Sequence, residues 1–299
     1  MRLASFIHTH AAEPSFGAVQ GDEIVNLRPV MGNRFRSLKE LLQADAVAQA
    51  LAASTSHEAR RHALPLSEVR FLPVIPDPGK IWCCGLNYHE HLQETNNVPT
   101  EQPTFFLRVA DSQLGHGEAI PLPPESEQLD YEGEIAVVIG KPGRRIAEAD
   151  AWKHIAGWAC YNDATLRDWQ RHTKQWGPGK NFWRTGSLGP WMVTADELGP
   201  NPLLTLTTRL NGVEVQRATT AMMVHSIARQ IAYLSTVAPL QSGDVIVTGT
   251  PGGVGSKRQP PLWMKPGDVV EVEVDRIGVL RNPIAAESDV PLFDSVTAA

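Results

Sequence analysis

Cysteine is scarce in this 299-residue chain: Cys83, Cys84 and Cys160 are an odd number, sit in apolar contexts and form no CxxC pair. A disulfide framework, a zinc ribbon and a dithiol redox centre are thereby excluded, and buried free thiols are expected. Positive charge is not in excess either. With 27 Lys+Arg against 33 Asp+Glu, the net charge is -6 and the isoelectric point near 5.9, which argues against the basic surface that binding to a phosphate backbone requires. No apolar run approaches the roughly 20 residues needed to span a bilayer, and the start, MRLASFIHTHAAEP, has no apolar leader core. A cytoplasmic protein that binds neither nucleic acid nor membrane is the expectation.

Nucleotide-binding signatures are also missing. There is no GxGxxG and no GxSxG, and GTPGGVGSKR lacks P-loop spacing, with Arg258 where a magnesium-binding Ser or Thr would stand. HEHLQE is not a zinc-binding HExxH, because Gln93 occupies the place of the second histidine.

What the chain does have is strand signal. Residues 1–30 read as short strands and turns, and SLKELLQADAVAQALAAS has helical spacing behind Ser37, a candidate N-cap. FLPVIPDPGK, with three prolines, marks a boundary near residue 72. Beyond it, Val/Ile/Thr-rich segments with Gly-Asp turns dominate (IAVVIG, LLTLTTRLNG, SGDVIVTGTP, KPGDVVEVEVDRIGVL), interrupted by a few helices such as the run from Met222 to Val237. His225 in that run is expected to be packed. The fold class is mainly β with some α (α+β): a small N-terminal domain over 1–72 and a larger one over 73–299. Strands do not alternate regularly with helices, so a doubly wound fold is not expected.

Chemistry concentrates in a few places. In LDYEGEIAVVIG, residues 129–140, strand alternation puts Glu132, Glu134, Ala136 and Val138 on one face and Tyr131, Gly133, Ile135, Val137 and Ile139 on the other. Two neighbouring carboxylates among apolar residues require a cation or a shared proton, unless the face is simply an exposed sheet edge. Asp163, after the apolar AGWACY, is a candidate third ligand, with Asp168 as an alternative. Three carboxylates suit a hard, oxygen-seeking ion such as magnesium or manganese.

In GLNYHEHLQE, a helix starting near Tyr88 places His91 and Glu94 at i and i+3. The carboxylate can orient the imidazole as a base, or the two can be a solvated surface pair. Lys180 in GPGKNF can reach into a cleft to neutralise an enolate or can be an ordinary loop lysine. Arg108 in FFLRVADS can grip a carboxylate bidentately or close a structural salt bridge.

Taken together, GLNYHEH, LDYEGEIAVVIGK, AGWACYNDATLRDWQ, GKNF, LGPWMVTADEL, RLNGVEVQ, SGDVIVTGTPGGVG and KPGDVVEVEVDRIGVLRNP resemble the fumarylacetoacetate hydrolase family, in order, over residues 80–284. The resemblance implies a mixed β-sandwich roll preceded by a smaller N-terminal α/β region. It implies that Glu132, Glu134 and Asp163 ligate Mg²⁺ or Mn²⁺, with Ca²⁺ also seen in the family, and that His91 and Glu94 activate water from a lid segment. Lys180 would be the active-site lysine. Arg167 and Gln170 would line the substrate oxygens, Thr250 would contact the substrate carboxylate, and Arg108 would bind it where many members carry lysine. Asn87 lies where the animal hydrolase has an extra acidic ligand, which implies more water on the metal. A homodimer is implied as well. The expected activity is metal-dependent cleavage of a C–C bond in a 2-oxo acid of the acylpyruvate type, such as fumarylpyruvate or maleylpyruvate from aromatic catabolism. Decarboxylation of oxaloacetate, isomerisation or hydration on the same scaffold are alternatives. Outside enzymology, a calcium- or acid-binding β-domain is the rival.

Overall fold

The computed structural model describes residues 1–11 and 13–292. Its centre is the strand Gly133–Ile139, every residue of which is buried. Alternation sends Ala136 and Val138 into one core and Ile135, Val137 and Ile139 into another, and full burial of each large aliphatic chain contributes about 1.5–3 kcal/mol.

This strand belongs to a twelve-stranded sheet. From edge to edge its main path runs Ala63–Pro65, Glu23–Asn26, Pro14–Gln20, Arg2–His8, Gly186–Thr194, Ile155–Asp163, Gly133–Ile139, Val245–Val247, Ile81–Gly85 and Thr104–Arg108. Segment 1–72 is built on this same sheet, because Arg2–His8 pairs antiparallel with Gly186–Thr194. The N-terminal helices cover one face through Leu38, Leu41, Leu42 and Ala50. The other face packs against the helix Ile227–Val237 and a five-stranded sheet ordered Val213–Thr219, Thr205–Leu210, Val269–Val274, Gly278–Ala286 and Ile120–Leu122. The α+β class, with few helices, is as expected, and among the described residues no helix is long and apolar enough to cross a membrane.

Two helical expectations need correction. The run behind Ser37 is two helices, Leu38–Gln43 and Val47–Ser54, interrupted at Asp45, whose φ of 51° takes the left-handed turn that a short polar side chain tolerates. Ser37 caps the first as expected, its side chain accepting from the N–H of Glu40. The run from Met222 becomes regular α-helix only at Ile227, behind the Ser226 cap. Before it, Asn87 fixes the chain: its carbonyl accepts from Val224 N–H at 2.8 Å and its side chain from His225 N–H at 2.7 Å. His225 is therefore half-buried in a bend ahead of the helix rather than packed on it.

Candidate active site

The stretch 129–140 is not one strand. Leu129–Asp130 pairs with Thr165–Leu166, whereas Gly133–Ile139 pairs with Ile155–Asp163. The break at Tyr131 and Glu132 frees the Glu132 N–H to donate to Asn162 Oδ1 at 3.0 Å, while its carbonyl accepts from Asp163 N–H at 2.8 Å. Glu132 and Asp163 are thus tied backbone to backbone. Gly133 between the two glutamates is required by crowding: a Cβ there would lie 1.9 Å from Thr208 Oγ1 of the second sheet.

One carboxylate oxygen from each of Glu132, Glu134 and Asp163 lies within 4.8 Å of the others, and all three residues are buried. They form the floor of a cavity of about 450 Å³. Lys180, from the short helix Gly177–Lys180, donates to Glu132 and, at 2.6 Å, to Asp163 Oδ2. Arg167 donates to Glu132 Oε1 at 2.7 Å, to Asp130 Oδ2 at 2.8 Å and to Gln170 Oε1 at 3.0 Å.

At and directly behind the floor, four buried carboxylates (Asp130, Glu132, Glu134, Asp163) stand against three buried cations (Arg108, Arg167, Lys180). Among the described residues, Glu134 is the one of the four left without a cationic partner, and it accepts only the Gly249 N–H, at 2.5 Å. Burial, reinforced by the charges of Asp163 and Glu132, pushes its carboxyl well above the ordinary range. Burial would raise Glu132 too, but Arg167 and Lys180 outweigh it and hold that carboxyl below the ordinary range. For Lys180, burial alone would favour loss of the proton; Asp163 and Glu132 more than offset it and keep the group an ammonium. An oxygen-only donor set that includes one carboxyl with no side-chain cation beside it fits a hard divalent cation such as magnesium, manganese or calcium, and fits zinc or copper poorly.

His91 lies on the helix His89–Glu94 and borders the cavity. Its Nδ1 is 2.7 Å from Glu94 Oε1, so in the neutral ring Nδ1 carries the hydrogen and the lone pair resides on Nε2. Nε2 bonds to no described residue. Glu94 uses its other oxygen to accept the Gly253 N–H at 2.8 Å. The pair is not a fully solvated one: His91 is 6% exposed and Glu94 is half-buried.

The glycine-rich segment that fails as a P-loop has another task here. Its N–H groups receive the protein's own carboxylates: Gly249 serves Glu134, Gly253 serves Glu94, and Gly255 and Ser256 serve Asp130. Gly249 and Gly253 have φ of 109° and 100°, and a Cβ on Gly253 would meet the Val215 carbonyl at 2.3 Å.

Of the residues expected to bind substrate, Arg167, Gln170 and Thr250 border the cavity and Arg108 does not. The Arg108 guanidinium is enclosed behind Asp163, donating to Asp163 Oδ1 at 2.5 Å, Thr185 Oγ1 at 2.7 Å and Ser112 Oγ at 3.3 Å. Its place is that of the structural salt bridge, the second option open to it in the sequence. Thr250 gives its hydroxyl hydrogen to the Gly133 carbonyl at 3.0 Å and accepts from Gln216 Nε2 at 2.8 Å. Asn87 spends its amide on the carbonyls of His225 and Thr248. Asp168 accepts from Ser126 at 2.7 Å and is not in the carboxylate cluster.

Sequence reading missed Asp130, although the period-two count that joined Glu132 to Glu134 includes it. It also missed Arg171 and Lys257, which border the cavity and carry no local signal.

The Fumarylacetoacetate (FAA) hydrolase C-terminal family matches residues 80–285, and the chain belongs to that family. Human oxaloacetate tautomerase FAHD2A, a mitochondrial protein, is 37% identical over 288 residues, which cover 95% of this chain and 91% of the relative. Among solved structures, the fumarylacetoacetate hydrolase of psychrophilic Exiguobacterium antarcticum superposes with a TM-score of 0.81 at 29% identity, covering 96% of this chain and 99% of that one. Maleylpyruvate hydrolase from Sphingobium sp. SYK-6, solved in complex with manganese(II) ion and pyruvate, superposes with a TM-score of 0.78 at 27% identity, again over 96% and 99% of the two chains.

Proposed function

We propose that the protein is a divalent-metal-dependent enzyme that enolises a 2-oxo acid, interconverting the keto and enol forms of a substrate of the oxaloacetate type. The observation that carries this is His91: an imidazole oriented through Nδ1 by Glu94, with Nε2 unengaged on the wall of a cavity whose floor is Glu132, Glu134, Asp163 and Lys180. The 37% identity to an oxaloacetate tautomerase over nearly the whole chain supports enolisation as the first choice among the family's reactions.

A cation held by Glu132, Glu134 and Asp163 would supply Lewis acidity to the 2-oxo acid group. The chain's own residues do the rest. His91 Nε2 takes the proton from the carbon beside the 2-oxo carbonyl, and the freed electron pair moves onto the carbonyl oxygen. Lys180 Nζ, held as an ammonium, donates a hydrogen bond to that oxygen as its negative charge grows; the oxygen takes a proton from water on release as the enol, and His91 gives its proton up to solvent. In the reverse direction His91 returns the proton to carbon. Gln170, whose carbonyl is taken by Arg167, has amide hydrogens left for a substrate carboxylate.

C–C hydrolysis of an acylpyruvate is the second reading. The likeness to a maleylpyruvate hydrolase favours it, since the same imidazole can activate water beside a second carbonyl.

The test is the decay of oxaloacetate enol absorbance with manganese or magnesium, repeated with a chelator, together with pyruvate release from acetyl-, fumaryl- and maleylpyruvate. Chelator-sensitive acceleration of enol decay without pyruvate release supports enolisation. Pyruvate release from an acylpyruvate supports the second reading, and no metal-dependent effect on any of these acids would sink both.

A further inference from the structure

The acidic residues bordering the cavity are all at its floor, and the floor's cations are paired with them. Two further cations border the same cavity without such partners. Arg171 directly follows the helix Arg167–Gln170, and Lys257 ends the turn Gly255–Lys257. Both are exposed, and neither charged group has a hydrogen-bond or ion-pair partner among the described residues.

Their presence on one cavity is not accidental in this fold. The fully buried Asp130 accepts from Arg167 Nε at 2.8 Å with Oδ2, and it accepts the N–H of Gly255 at 2.7 Å and of Ser256 at 3.0 Å. One carboxylate thus fastens the helix that Arg171 follows to the turn that Lys257 ends, although the two are far apart in sequence. Thr173 and Ser256 border the cavity beside them.

We infer that Arg171 and Lys257 form the seat for a second carboxylate of the substrate, at the end remote from the 2-oxo acid group. They are specificity-determining residues that select 2-oxo diacids over 2-oxo monoacids of equal length. The inference rests on the enolisation reading, which puts the 2-oxo acid end at the floor. Two cations without partners on a cavity rim attract an anion and, once it is bound, gain the hydrogen bonds they lack.

The test compares matched ligand pairs that differ only in the terminal carboxylate: 2-oxoglutarate with 2-oxovalerate, and 2-oxoadipate with 2-oxohexanoate. Binding to the manganese-loaded protein is measured by calorimetry for the wild type, Arg171→Gln, Lys257→Gln and the double variant. Lys174→Gln, on the same loop but not bordering the cavity, is the control. The expected result is a wild-type preference for at least one diacid that falls about fivefold in each single variant, the scale of one exposed ion pair. The preference falls further in the double variant and is unchanged in the control. A wild type that binds both members of every pair alike, or variants that keep the preference, would overturn the inference and leave the enolisation reading standing. Failure of every 2-oxo acid to bind, alongside a failed oxaloacetate assay, would overturn the reading beneath it.

Discussion

His91 and Glu94 are joined side chain to side chain at 2.7 Å within one turn of helix, and Glu94 is anchored in turn by the N–H of Gly253 at 2.8 Å. The proposed base is therefore positioned by a carboxylate that is itself fixed to the glycine-rich loop, which leaves Nε2 of the cavity-lining imidazole unengaged. His91→Gln is expected to lower kcat by about 10²- to 10⁴-fold, the usual worth of a positioned general base, with little change in Tm. Glu94→Gln is expected to have a smaller effect in the same direction. A calcium-holding β-domain without chemistry predicts that both variants are silent, so steady-state assays with parallel thermal melts separate the two views.

Glu132 is held from three sides, by Arg167, Lys180 and the Thr165 hydroxyl at 3.0 Å. If Glu132 is a ligand, as proposed, Glu132→Gln removes the ligand itself and not merely its support. Manganese affinity is expected to fall by more than the about 10- to 100-fold typical of losing an outer partner of a ligand. Titration calorimetry that found affinity unchanged would dismiss the ligand assignment.

Arg108 offers a cleaner contrast. Because its guanidinium is enclosed with Asp163, Arg108→Met leaves a buried carboxylate short of a partner. A stability loss of about 3–5 kcal/mol is expected from chemical denaturation. Had Arg108 gripped the substrate, KM would rise while stability held.

His116 makes a pH prediction far from the site. Burial, with the Arg281 charge beside it, holds this imidazole below its ordinary pKa, and its Nδ1 accepts the Arg281 N–H at 3.1 Å. In the unfolded chain the ring titrates near about 6.5. The stability it contributes is complete above that pH and is lost as pH falls through it toward the lower folded value, because the unfolded chain takes up the proton first. Melting temperatures followed from pH 7.5 down to about 5.5 should fall less steeply in His116→Gln than in the wild type.

How much of this was legible depended on distance along the chain. His91 with Glu94, and Glu132 with Glu134, are short-range pairs whose spacing carries them onto one face, and the structure brings His91, Glu132 and Glu134 to one cavity, with Glu94 behind His91. The break at Tyr131 and Glu132 was not legible, because it follows from two different partner strands, Thr165–Leu166 and Ile155–Asp163. Arg108 looked available because its apolar run says nothing of Asp163, which is distant in sequence. Arg171 and Lys257 gave no signal at all: each is an ordinary surface cation until Asp130 draws its element to the rim.

The strand Ile81–Gly85 turns Cys83 and Cys84 to opposite sides, and only Cys84 borders the cavity. All three thiols are free and buried, burial raising Cys83 and Cys84 well above the ordinary thiol value and pushing Cys160 up to about 12. The native protein thus carries its own clocks. Alkylation of Cys83 and Cys160 keeps time with the opening of the two cores, while alkylation of Cys84 also registers whether the cavity is filled.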